Sequence, residues 1–135
     1  AAARAALPEH VKARYHAYAY LHDEMGAAMA AADLVICRAG ASILGEFPYF
    51  GLPSILVPYP YAWRYQKVNA AWLADQGAAL VIEDAALSEQ IAPTARALLT
   101  DTSHREAMAA AARALARPDA AQRLAELLLA LGKKG

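Results

Sequence analysis

Between Arg38 and Glu46 the chain reads RAGASILGE, directly after the apolar run DLVIC. A strand that passes through a short loop into a helix leaves the first amides of that helix, here those of Ala41, Ser42 and Ile43, without intrahelical acceptors. Such donors, with the helix dipole behind them, suit a phosphate. Gly40 is expected to let the chain turn tightly into that helix. One turn further on, Glu46 offers two carboxylate oxygens, which accept well from a vicinal diol such as the 2′,3′ pair of a ribose. Amides for a phosphate and a carboxylate for a ribose together describe a nucleotide. Taken alone, Glu46 reads equally as a solvated helix residue.

Other polar side chains near strand ends admit two readings each. Gln66 both donates and accepts, which suits sugar hydroxyls and also ordinary hydrogen bonding at a helix start. Arg38 reads as a loop anchor or a ligand, and His22 as a solvated loop residue or an acid–base group. The aromatic stretch PYPYAWRYQ reads as a packed loop or a recognition surface. Cys37, the single cysteine, sits within an apolar run and reads as a small buried residue. One cysteine gives no disulfide framework, which fits a reducing cytoplasm. The four histidines are dispersed with no metal-ligand spacing, so no metal is expected.

The elements that position these residues follow from periodicity and punctuation. Tyr15–Leu21 reads as an aromatic-rich strand, followed by a small-residue helix capped by Asp23. Leu34–Cys37 is a continuous apolar run, the pattern of a strand buried on both faces. Ala41–Phe50 reads as a helix closed by Gly51, and Pro53 opens a second buried strand, SILVP. Gln66–Gln76 reads as a helix ended by Gly77, and AALVI as the next strand. Three helices follow: Ser88–Leu99, starting late because of Pro93; Ser103–Ala116, with the capping box SHRE; and Asp119–Leu131, stopped by Gly132. Strands alternating with helices predict an α/β fold, a parallel sheet with helices on both faces. Ligands in such sheets lie beyond the carboxyl ends of the strands, here in the loops Leu21–Asp23, Arg38–Ala41 and Pro58–Tyr65.

The totals narrow the function classes. At 135 residues the chain is one domain at most. Thirteen basic and thirteen acidic residues give zero formal charge, so no field steers it onto nucleic acid or an anionic bilayer. No apolar run is long enough to span a membrane. The opening AAARAALPEH reads as the end of a helix, and the chain is expected to be a piece of a longer protein.

The segments ADLVICRAGA, GLPSILVPYP and QKVNAAWLADQGAA, in this order, resemble the C-terminal domain of the MurG family. These are the peptidoglycan N-acetylglucosaminyltransferases that form lipid II from lipid I, and the resemblance runs from about Tyr15 to the C-terminal helices. It implies part of a GT-B glycosyltransferase, whose two Rossmann-like domains hold the active site between them. The donor, UDP-N-acetylglucosamine, would be held by Gly40, Ala41, Ser42 and Ile43 at the nucleotide's ribose and diphosphate. Glu46 matches the family's ribose-binding glutamate, and Gln66 a glutamine that contacts the sugar hydroxyls. Asn69 falls in the same motif, and Leu21, His22 and Met25 match the place where uracil is held. Ala39 departs from a frequent serine, Ile43 from a threonine, and Tyr65 from a histidine or glutamine. The resemblance further implies no cofactor and no metal. The lipid I acceptor site, the base and the membrane contact would lie in an N-terminal domain outside this chain, on a peripheral enzyme of the inner membrane's cytoplasmic face. The chain alone is therefore expected to transfer no sugar. Two other readings remain: another GT-B UDP-sugar transferase or epimerase, and a non-catalytic Rossmann-like module working with a partner chain.

Overall fold

The computed structural model describes residues 2–61 and 63–132; Ala62, in the loop expected over Pro58–Tyr65, lies outside the described residues. Two helical turns, α1 (Ala2–Ala5) and α2 (Glu9–Lys12), come first. Then follow α3 (Met25–Ala31), β1 (Val35–Cys37), α4 (Ile43–Phe50), β2 (Ser54–Leu56), α5 (Trp63–Asp75) and β3 (Ala79–Val81). A 3-10 turn at Asp84–Ala86 leads into α6 (Leu87–Thr100), α7 (Thr102–Ala114) and α8 (Ala120–Gly132).

The strands form one parallel sheet in the order β1-β2-β3, with Ile36, Ile55 and Leu80 side by side. Parallel neighbours need a crossover, and α4 and α5 supply the two. Alternation along β2 sends Leu56 to one face and Ile55 to the other. On the Leu56 side, Ile43 and Phe47 of α4 and Ala70 and Leu73 of α5 close a core with Leu52. On the Ile55 side, α6 presents Leu87, Ile91, Ala95 and Leu98, one helical stripe, joined by Met108 of α7. The sheet is thus covered from both sides, as the alternation of strands and helices requires.

Both helices that lead back into the sheet end alike. Gly51 has φ 62° and Gly77 φ 75°, the left-handed region. Leu52 N–H donates to Phe47 O at 2.9 Å and Ala78 N–H to Leu73 O at 2.9 Å, the Schellman arrangement that satisfies the last carbonyls. The two glycines expected to close these helices do close them.

Other boundaries differ from expectation. Tyr15–Leu21 forms no strand, and Tyr18 and Tyr20 are exposed. Its alternating aromatics lack a neighbouring strand to pair with, and an extended segment without a ladder gains little. Asp23 does not cap α3; Glu24 holds the N-cap position without a side-chain bond. α5 begins at Trp63, so Gln66 lies a turn inside the helix rather than at its start. α6 runs from Leu87 straight through Pro93, its buried stripe outweighing the single lost backbone bond. The cap of α7 is Asp101, whose carboxylate accepts from His104 N–H at 2.9 Å, two residues before the expected Ser103. Gly132 lies within α8 as its last residue. Finally, β1 is not buried on both faces: Ile36 is 45% exposed, because the α6 stripe packs on Ile55 and Leu80 but not on Ile36.

Gly51 and Gly77 separate two costs of adding a methyl group. At Gly77 the new carbon would meet only Ala111 Cβ, at 3.9 Å, whereas at Gly51 it would fall 2.5 Å from the Arg113 side chain. Gly77→Ala is expected to cost about 1–2 kcal/mol for the left-handed backbone alone. Gly51→Ala should cost more, because Arg113 must also move. Urea unfolding of the two variants checks the order, and equal losses would remove Arg113 from the account.

Candidate functional site

The loop from β1 into α4 lies at the carboxyl edge of the sheet. Leu44 N–H is the first to find a partner in the opening turn of α4, donating to Ala41 O at 3.2 Å, and Glu46 N–H bonds Ser42 O at 3.0 Å. The amides of Ala41, Ser42 and Ile43 precede these, where a helix start leaves its donors free. Ser42 holds the N-cap position and makes no side-chain cap bond; its hydroxyl is exposed, as are Ala41 and Glu46. Ile43 turns the other way. Its side chain is buried among Phe47 and Leu56, so it offers the site its N–H and nothing else. A threonine hydroxyl has no counterpart there.

The φ of Gly40 is not in the left-handed region, so its backbone does not require a glycine. A Cβ built on it would meet nothing within 4 Å. The backbone here would accept any side chain, and what the glycine provides is open space beside the unpaired amides.

Glu46 stands over a groove of about 370 Å³ that it lines with Ser42, Gly45, Tyr49 and Phe50. Its charge also reaches Cys37. Burial first, and the Glu46 carboxylate second, push the Cys37 thiol from 9.0 up to about 11. That thiol, half-buried rather than buried as expected, stays protonated at neutral pH.

Three polar side chains bind the loops to one another. Asn69 Nδ2 of α5 donates to Ala39 O at 3.0 Å, fixing the helix to the loop before Gly40. Gln66, one turn earlier, accepts Tyr59 N–H on its Oε1 at 2.8 Å. A backbone N–H only donates, so the bond fixes which end of the amide faces Tyr59 and turns the NH2 away from it. Arg38 reaches furthest. Its Nη1 donates to Val57 O at 3.2 Å and pairs with Asp84, and the guanidinium lies 5.3 Å from the Tyr59 ring centroid. Of its two sequence readings, the loop anchor is the one the structure holds.

His22 and Met25 lie elsewhere. His22 packs at a tilt against Tyr20, ring centroids 4.6 Å apart, and lines a hollow of about 350 Å³ with Tyr18, Leu21 and Glu24. That hollow shares no residue with the groove at Glu46, and Met25, exposed on α3, does not line it. Asp84 was not singled out by sequence, and Tyr59 only as part of the aromatic stretch PYPYAWRYQ. Asp84 is 46 positions from the arginine it pairs with, a distance no local pattern spans. Among the described residues no cluster of His, Cys, Asp and Glu is placed to hold a metal ion, and no helix is long and apolar enough to cross a membrane.

A parallel sheet covered on both faces, with its polar loops gathered at the carboxyl edge, defines a Rossmann-like α/β domain. Residues 5–124 match the glycosyltransferase family 28 C-terminal domain, and the chain belongs to that family. A UDP-N-acetylglucosamine--N-acetylmuramyl-(pentapeptide) pyrophosphoryl-undecaprenol N-acetylglucosamine transferase of Roseiflexus sp. (strain RS-1) is 46% identical over 90% of this chain and 32% of its own length. The protein of the same description from Mycolicibacterium smegmatis is 45% identical, over 88% of this chain and 31% of its own. The crystal structure of Acinetobacter baumannii MurG superposes with a TM-score of 0.71 at 33% identity, covering 79% of this chain and 31% of that one. The chain thus spans about a third of the length of the relatives it matches.

The open space at Gly40 makes a clean test of the loop. Gly40→Ala should leave the unfolding midpoint unchanged, because the added methyl meets nothing within 4 Å. Urea unfolding of the variant checks it. A second expectation concerns pH. The Cys37 pKa is higher in the folded chain, so the folded state keeps a proton that the unfolded state loses between pH 9 and 11. Stability should fall with rising pH across that window and be fully retained below it. Cys37→Ala should flatten this part of the profile relative to the wild type, as measured by urea unfolding at pH 8, 9.5 and 11.

Proposed function

We infer that this chain is the donor-binding part of an inverting N-acetylglucosaminyltransferase acting on a lipid-linked muramyl sugar, the step that forms lipid II. Residues 1–135 are then a partial C-terminal domain, and the acceptor-binding N-terminal domain belongs to the rest of a longer protein. The observation that carries this reading is the start of α4: amides at Ala41, Ser42 and Ile43 that have no partner among the described residues, open space at Gly40, and the exposed Glu46 one turn on. The names of the relatives support the donor, UDP-N-acetylglucosamine, and the acceptor, lipid I.

In this reading the amides meet the diphosphate, which gains negative charge as the sugar departs, and donors fixed in advance stabilise that charge without reorganising. Glu46 accepts from the ribose hydroxyls and sets the register of the nucleotide. Gln66, its oxygen already taken by Tyr59, presents its NH2 to an acceptor oxygen of the sugar. On the resemblance, uracil would sit at His22 and the hollow that it lines, and Asn69 keeps α5 against the loop. The chain supplies grip and orientation; attack on the anomeric carbon by the C4 hydroxyl of the acceptor needs a base and an acceptor site from the other domain. That other domain would also bring the enzyme to the cytoplasmic face of the membrane.

The test is Glu46→Ala in the complete transferase. It should weaken UDP by about 1.5–3 kcal/mol, the worth of hydrogen bonds to a charged group. Binding of 2′,3′-dideoxyuridine 5′-diphosphate, which lacks the diol, should change little. Equal losses for the two ligands in calorimetry would show that Glu46 is not the ribose acceptor.

A further inference from the structure

The geometry points to Asp84 as a positioning residue for the sugar of the donor, acting through Arg38 on the loop that presents Gln66. This inference rests on the reading of Gln66 as the sugar contact. Asp84 opens the 3-10 turn after β3, at the same edge of the sheet as the donor loop. Its carboxylate holds the Arg38 guanidinium, which bonds Val57 O at the end of β2 and faces the ring of Tyr59. Tyr59 N–H in turn holds Gln66 Oε1. The relay therefore runs from the exit of β3 through the exit of β1 to the exit of β2, and ends on the side chain assigned to the sugar.

Each link depends on the one before it. Without the carboxylate, Arg38 keeps only the neutral carbonyl of Val57 and is free to swing toward water. Tyr59 then loses the cation facing its ring, and the segment that fixes the Gln66 amide loosens. The ion pair is itself half exposed, the two side chains at 44% and 35%, so solvent screens it and its loss should cost the fold little. Loops, unlike cores, are set by a few such contacts, so the effect should appear in what the loop presents. The neighbouring pair, Lys67 with Glu83 at 3.3 Å, also joins α5 to the exit of β3 but touches neither Arg38 nor Tyr59. It serves as the control.

The experiment titrates the isotope-labelled chain with UDP and with UDP-N-acetylglucosamine by NMR, alongside amide exchange at Tyr59. In Asp84→Asn the preference for the sugar nucleotide over UDP should fall about fivefold, with UDP affinity within twofold of wild type and the thermal midpoint within about 2 °C. Tyr59 N–H should exchange faster. Asp84→Glu should recover most of the preference, and Glu83→Gln should keep it. Arg38→Gln combined with Asp84→Asn should be no worse than Arg38→Gln alone, since residues acting in one chain are not additive. If Asp84→Asn keeps the wild-type preference, or the double variant loses the sum of the singles, Asp84 is not a positioning residue. A wild-type chain without preference for the sugar nucleotide would instead overturn the reading of Gln66, and this inference with it.

Discussion

Three parallel strands of three residues each make a small sheet, and the ends of those strands must be held together by something other than the ladder. Arg38 does this from a single planar cation. It leaves the end of β1, bonds a carbonyl at the end of β2, and pairs with the carboxylate that follows β3. Asn69 then fixes α5 to the neighbouring carbonyl of Ala39, and Gln66 fixes α5 to the loop beyond β2. The amino ends of the strands are spaced differently, by the buried residues around Leu52 and the two left-handed glycines. Polar fastening at one edge and apolar packing at the other give the sheet a rigid base and an edge whose shape is set by hydrogen bonds. Ligand recognition needs that second kind of edge, because directional contacts place groups more sharply than packing does.

Much of this was legible in the sequence. Proline and glycine boundaries located β2 and the ends of α4 and α5, since φ restrictions act locally and need no partner. The α/β class followed from alternation alone. What failed was whatever depended on a neighbour. Tyr15–Leu21 has the period of a strand and no strand to bond. Ile36 has the hydrophobicity of a core residue and no helix above it. Ser103 and Glu106 make a capping box on paper, yet Asp101 lies nearer the true start and takes the His104 amide.

The candidate site divides along the same line. Glu46 and the amides of Ala41–Ile43 are placed by one helix start, so their geometry follows from a local motif. Gly40 kept its place but not its explanation: space, not backbone conformation, is what a glycine gives there. Ile43 gives the site its amide alone, because its side chain packs inward. Arg38, Asp84 and Tyr59 meet only in three dimensions, from segments up to 46 residues apart, and composition carries no trace of that meeting.

α8 stands apart from all of this. It has no buried residue and belongs to neither core, while Leu124, Leu127, Leu128 and Leu131 lie exposed along it. A helix of 13 residues that buries no side chain is marginal in water. Melting of this chain is therefore two events, a gradual helix–coil transition at the C-terminal end and a cooperative collapse of the sheet and its helices. The van't Hoff enthalpy of the second will fall below the calorimetric total for both. A single midpoint read from helical ellipticity describes neither.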